Sequence, residues 1–96
     1  MRAFVIVEIS IHDAGLYEEY KKLTPASIAE YDGKFVVRGG KTVTMEGDWK
    51  PQRIVVAEFP SVERAQEWWQ SEGYEKAKKI RQASADTKMI IVECVD

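Results

Sequence analysis

The chain holds a single histidine, His12, four residues after a glutamate, Glu8, and an arginine, Arg38, stands in the second β-prone stretch. An imidazole titrates near neutral pH, a carboxylate can orient it, and a guanidinium can hold an anionic substrate or intermediate. The three residue types together describe a general-base site. Plainer readings compete, because a lone loop imidazole is usually solvated and an arginine beside a glutamate is commonly an interface ion pair. A second set is Tyr74 and Arg81, seven residues apart. On a helix that spacing puts a hydroxyl and a guanidinium on one face, aimed at one cleft or paired with nearby acids.

The elements that must position these groups follow from hydrophobic period. RAFVIVEI is apolar and rich in β-branched residues, as a strand should be. From Asp13 to Tyr31 the period changes to three and four, with Leu16, Tyr17, Tyr20, Leu23, Thr24, Ile28 and Tyr31 on a helical stripe. Asp13 suits the N-cap and Gly33 the terminator, and Thr24-Pro25 reads as a second helix start that kinks or breaks the helix. FVVRGGKTVTMEG reads as one strand bent at its glycines rather than as a hairpin, since Phe35, Val37, Val43 and Met45 then share a face. RIVVAEF is a third strand. Ser61 caps a helix carrying Val62, Ala65, Trp68 and Trp69, one tryptophan packing and the other covering a rim. Gly73 interrupts that helix before a second stripe, and KMIIVECV is the fourth strand.

The order βαββαβ predicts an α+β fold, a ferredoxin-like sandwich with an antiparallel sheet and helices on one face. A single domain over residues 1–96 is expected. Alternation assigns Ala3, Val5, Val7 and Ile9, Val55, Ala57 and Phe59, and Ile90, Val92 and Cys94 to the helix side. The other side then carries Phe4, Ile6 and Glu8, Ile54, Val56 and Glu58, and Met89, Ile91 and Glu93, with Val36 and Arg38 on the Glu8 side. So many large apolar groups on a nominally open face call for a partner sheet, and a homodimer packed sheet on sheet is expected, helped by the bent second strand.

Composition narrows the classes of function. The 14 Lys and Arg against 16 Asp and Glu leave a net charge of −2, which gives no footprint for a nucleic acid backbone. No run approaches the roughly 18 apolar residues of a membrane span, and the N-terminal stretch is unlike a signal peptide, so a cytoplasmic protein without membrane contact is expected. Cys94, the one cysteine, reads as a small packed residue. No metal cluster, phosphate loop or cofactor motif is visible, and haem would need an axial ligand that only His12 offers.

Residues 31–35 (YDGKF), 47–53 (GDWKPQR), 58–61 (EFPS), 65–69 (AQEWW) and 71–81 (SEGYEKAKKIR) together resemble the pattern of the domain-of-unknown-function 1330 family, over essentially the whole chain. The resemblance implies a ferredoxin-like protomer of the dimeric α/β-barrel superfamily and no particular reaction. Arg38, Trp69, Tyr74 and Arg81 fall on its motif positions and His12 does not. Trp69, Tyr74 and Arg81 are accordingly expected to bind substrate, and Glu8, His12 and Arg38 to be catalytic. Two functions stand open: binding or transformation of a small organic anion between sheet and helices, or a non-catalytic binding or regulatory dimer whose charges fix the interface.

Overall fold

The computed structural model describes residues 1–95. It contains β1 (Ala3–Ile11), α1 (Ala14–Glu30), β2 (Lys34–Arg38), β3 (Arg53–Phe59), α2 (Val62–Gln70), α3 (Glu72–Ser84) and β4 (Ala85–Glu93). The strands form one sheet in the order β2-β3-β1-β4 with every neighbouring pair antiparallel. All three helices lie on one side, so this is the ferredoxin-like arrangement expected from the element order.

Val5, Val7 and Ile9 of β1 and Val55, Ala57 and Phe59 of β3 are buried under the helices with Tyr17, Tyr20, Ile28, Ala65, Trp68, Tyr74 and Ala77. β4 reverses the expected phase. Val5 faces Ile91 and Val7 faces Met89, while Ile90 and Val92, opposite Ile6 and Phe4, lie exposed on the open face. Glu93 pairs with Ala3 and so leaves the open face, and Cys94 lies beyond the strand, half-buried. Both rows of this strand are apolar, so alternation alone could not choose between them. The pairing of Ile11 with Ala85 chooses.

β2 corrects a second expectation. It ends at Arg38, and residues 39–52 form no strand. A register shift between Phe35 and Val37 sets Phe35 opposite Ala57, Val37 opposite Val56 and Arg38 opposite Val55. The bulge therefore turns Val37 to the open face and brings Arg38 to the helix side, the reverse of strict alternation.

The helix ends also differ from the expected punctuation. α1 runs unbroken through Pro25, with Asp13 Oδ1 accepting from the Leu16 N–H at 3.1 Å as its N-cap. Its C-terminus turns on Asp32, which has φ +64, and not on Gly33. The Asp32 N–H donates to Ala29 O at 3.0 Å and the Gly33 N–H to Ile28 O at 2.8 Å, a Schellman closure. Gly33 serves packing instead, since a Cβ there would lie 2.6 Å from the Phe59 ring. Ser71, not Gly73, divides α2 from α3. Its hydroxyl donates to Trp68 O at 2.7 Å and accepts from the Tyr74 N–H at 3.2 Å, so one side chain ends one helix and starts the next.

Candidate functional site

Glu8, His12 and Arg38 are not brought together. Glu8 is on the open face, where Trp49 Nε1 donates to its Oε2 at 3.0 Å. His12 is exposed beyond the end of β1, with its backbone N–H bonded to Ser84 O at 3.0 Å. Arg38 is on the helix side.

There Arg38 joins a different set. A cavity of about 20 Å³ lies between α1 and the sheet, lined by Tyr17, Tyr20, Lys21 and Thr24 of α1, Phe35 and Arg38 of β2, Arg53 and Val55 of β3, and Val7 and Ile9 of β1. That volume holds about one water-sized group. Arg38 stands at its mouth, with its guanidinium carbon 4.4 Å from the Phe35 ring centre and its Nη2 donating to Lys21 O at 2.8 Å. The acceptor exists because of Pro25. In an α-helix the Lys21 carbonyl would take the N–H of residue 25, and proline has none. A residue that reads as a helix breaker thus leaves the chain helical and frees a carbonyl for the guanidinium.

Arg53 lies deeper. Its guanidinium carbon is 5.6 Å from the Tyr17 ring centre, and its Nε is buried without a hydrogen-bond partner. Gly39 makes room for it. This residue has φ +73, its N–H donates to Ile54 O at 2.9 Å, and a Cβ there would collide with Arg53 Nη1. Arg53 was missed in the sequence, although it continues the buried row of Val55, Ala57 and Phe59 outwards by one alternation step, and a charged group in a buried row is a signal.

No carboxylate pairs with Arg38 or Arg53 among the described residues. The ion pairs join Arg2 and Lys34 to Glu58, Arg64 to Asp32 and Glu67, and lysines to glutamates three or four residues away on α1 and α3. Burial pushes the Tyr17 hydroxyl pKa up, with Arg53 opposing, and burial followed by the neighbouring Tyr74 pushes Tyr20 up further. Both phenols stay neutral in the fold where the unfolded chain ionises them, above about pH 10. Their contribution is therefore complete below that pH and is lost as pH rises, by about 1.4 kcal/mol per pH unit for Tyr20. Urea unfolding at about pH 9 and pH 11 is expected to show this loss, and to show less of it in Tyr20→Phe.

The second expected set is divided by depth. Tyr74 is fully buried and Arg81 is 3% exposed, whereas Trp69 is 39% exposed. Lys78 Nζ sits 3.8 Å from the centre of a Trp69 ring. Trp69 and Arg81, with Gln82, Thr87, Met89 and Ile91, border a shallow groove along β4, but Tyr74 does not reach it. Arg81 Nε donates to the Tyr74 hydroxyl at 3.2 Å and Nη1 donates to Thr87 Oγ1. Tyr74 and Tyr20 are bonded hydroxyl to hydroxyl at 2.9 Å.

Fold and site define a ferredoxin-like α+β protein with a small arginine-lined cavity under its first helix. The chain belongs to the domain-of-unknown-function family DUF1330, whose profile matches residues 2–95. Among solved structures it is similar to a protein of unknown function from Rhodopseudomonas palustris, with 21% identity over 99% of this chain and 83% of that one and a TM-score of 0.81. SnoaB, a cofactor-independent oxygenase from Streptomyces nogalater, shares 16% identity over 99% of this chain and 94% of its own, with a TM-score of 0.72. A dimeric ferredoxin-like protein of unknown function from Jannaschia shares 9% over 98% and 100%, with a TM-score of 0.73. Identities this low speak for the fold alone. No curated protein matches the sequence.

Proposed function

We propose that the protein binds a small organic anion, which enters the cavity under α1 with its carboxylate first. The observation that carries this is Arg53. A guanidinium reaches an enclosed space with its Nε buried and unpartnered, a second guanidinium stands at the mouth, and no carboxylate among the described residues neutralises either. An arginine lining the cavity without a counter-ion offers an incoming carboxylate oxygen a charge-assisted hydrogen bond from the rest of its guanidinium. The cavity admits about one oxygen atom of a carboxylate, so the rest of the ligand lies towards the opening beside Phe35 and Lys21. In this reading Arg38 remains a site residue, on the helix side rather than on the expected Glu8 face, with Arg53 and Tyr17 in place of Glu8 and His12. The likeness in fold to SnoaB adds no reaction to this reading.

The protomer works as a homodimer in this reading, with the open sheet face as the contact. Phe4, Ile6, Ile54, Val56, Ile90 and Val92 form a continuous apolar layer there, with Val37 at its edge. Val43, Met45 and Trp49 extend beyond it, 68%, 85% and 58% exposed. A patch of this kind marks an interface, and the Jannaschia protein of like fold is dimeric. The alternative of a binding or regulatory dimer without a ligand is favoured by Glu8 and Glu58, which have partners in Trp49 and in Arg2 and Lys34. It gives Arg38 and Arg53 only packing roles, against Lys21 O and Phe35 and against Tyr17, and leaves both without a counter-ion among the described residues.

Titration calorimetry with acetate and benzoate against acetamide and benzamide, at matched ionic strength, separates the readings. The carboxylates are expected to bind and the isosteric amides not. Arg53→Met is expected to weaken carboxylate binding by about 10- to 100-fold, the worth of a charge-assisted hydrogen bond. Equal responses to acid and amide, or none to either, would overturn the proposal.

A further inference from the structure

Arg81 is a cation held inside the fold without an anion. It is 3% exposed, its Nε donates to the Tyr74 hydroxyl at 3.2 Å and its Nη1 to Thr87 Oγ1, and its Nη2 meets no acceptor among the described residues. Both acceptors are hydroxyl oxygens, and none of the ion pairs among the described residues reaches it. A charge so deeply buried is costly unless an anion meets it. The one sealed side-chain nitrogen without a partner among the described residues is Arg53 Nε, so Nη2 of Arg81 keeps contact with solvent. The surface that Arg81 keeps borders the groove along β4.

Topology makes the rest of that groove apolar and open. β4 is an edge strand, and its helix-side row of Thr87, Met89 and Ile91 is only half-buried, whereas the row opposite it on β1, Ile9, Val7 and Val5, is buried. Trp69 of α2, 39% exposed, borders the same space. The groove encloses about 410 Å³, within the range of small-molecule sites, and shares no lining residue with the cavity under α1. From Thr87 to Ile91 the strand runs about 13 Å. We infer that this groove is a second binding site, for a carboxylate with an extended apolar body, its head on Arg81 Nη2 beside Thr87 and its body along Met89 and Ile91 with Trp69. The head supplies the anion that Arg81 lacks, and the body covers the apolar row that the helices leave open. Tyr74 serves as a positioning residue, holding Arg81 Nε from the core side.

The test uses the full chain with sodium hexanoate as the probe and hexanamide, which has the same body and no charge, as its counterpart. In proton–nitrogen correlation spectra the Trp69 indole N–H and the Arg81 Nε–H signals are expected to move together on addition of hexanoate and to stay in place with hexanamide. The movement should be unchanged in Arg53→Met, which removes only the cavity under α1, so the two sites fail separately. Arg81→Met is expected to weaken hexanoate binding at the groove by about 10- to 100-fold, the worth of a charge-assisted hydrogen bond. Trp69→Ala, which alters a surface ring and keeps the test open if Arg81→Met does not fold, should weaken it by about 4- to 15-fold, as for one or two methylene groups left in water. Signals indifferent to hexanoate, equal movement with the amide, or movement lost in Arg53→Met would overturn the site. So would movement seen only when Ile6→Lys opens the sheet face, since a second copy of the chain would then be the occupant of the groove.

Discussion

Ile6→Lys is expected to turn a dimer into a monomer. Ile6 lies at the middle of the open sheet face, opposite Val56 on one side and Ile90 on the other. In an isologous dimer each substitution is felt twice, once from each protomer. Burying one isoleucine side chain is worth about 1.5–3 kcal/mol, so the pair removes about 3–6 kcal/mol of association energy, and the two ammonium groups must also lose water if this face closes. The dimer dissociation constant should rise by at least about 100-fold. Sedimentation across a range of concentrations reads this directly, with Ile6→Val as a control that keeps the apolar layer. A sedimentation profile identical in wild type and Ile6→Lys would mean that this face is not the contact.

Trp68→Ala is expected to cost about 3–5 kcal/mol of unfolding free energy, against a total of about 5–15 kcal/mol for a domain. The indole is 3% exposed, with its ring centre 4.1 Å from Tyr74 and 5.4 Å from Phe59. Its Nε1 donates to Ser27 Oγ at 3.2 Å, so the variant leaves a cavity and removes one partner of the Ser27 hydroxyl, which still donates to Thr24 O at 2.8 Å. Trp69→Ala, one position along, should change stability by only about 0.5–1 kcal/mol, because that ring is largely at the surface. Urea midpoints of the two variants make the comparison, and similar losses would show that the core is not centred on Trp68. Loss of Trp68 also removes the surface on which Tyr74 rests.

Much of the fold was legible in the residues. Buried rows such as Val5, Val7 and Ile9 against Phe4, Ile6 and Glu8 declare strand and face together, because one row is wholly apolar and the other ends in a charge. Where both rows are apolar, as with Met89 and Ile91 against Ile90 and Val92, the pattern carries no phase, and pairing with β1 sets it. The candidate site was legible only in part. Arg38 is an outlier in its strand and was visible as such, but its partners were chosen by strict alternation, and the bulge at Val36 breaks that alternation. Arg53 could have been found by extending its buried row. Its bare Nε could not, since that depends on three elements meeting around it.

The order of elements, the family, the helix starts at Asp13 and Ser61 and the apolar character of both sheet faces are written in local residue patterns, because each is a matter of period, capping chemistry or side-chain type. Tertiary structure alone decided which side Arg38 faces, that Pro25 would release a carbonyl for it within an unbroken helix, and that Arg81, Tyr74 and Tyr20 would lie in line. A one-residue register shift exchanges the faces of a strand, and the hydrogen bond between Tyr20 of α1 and Tyr74 of α3 joins residues 54 positions apart in sequence.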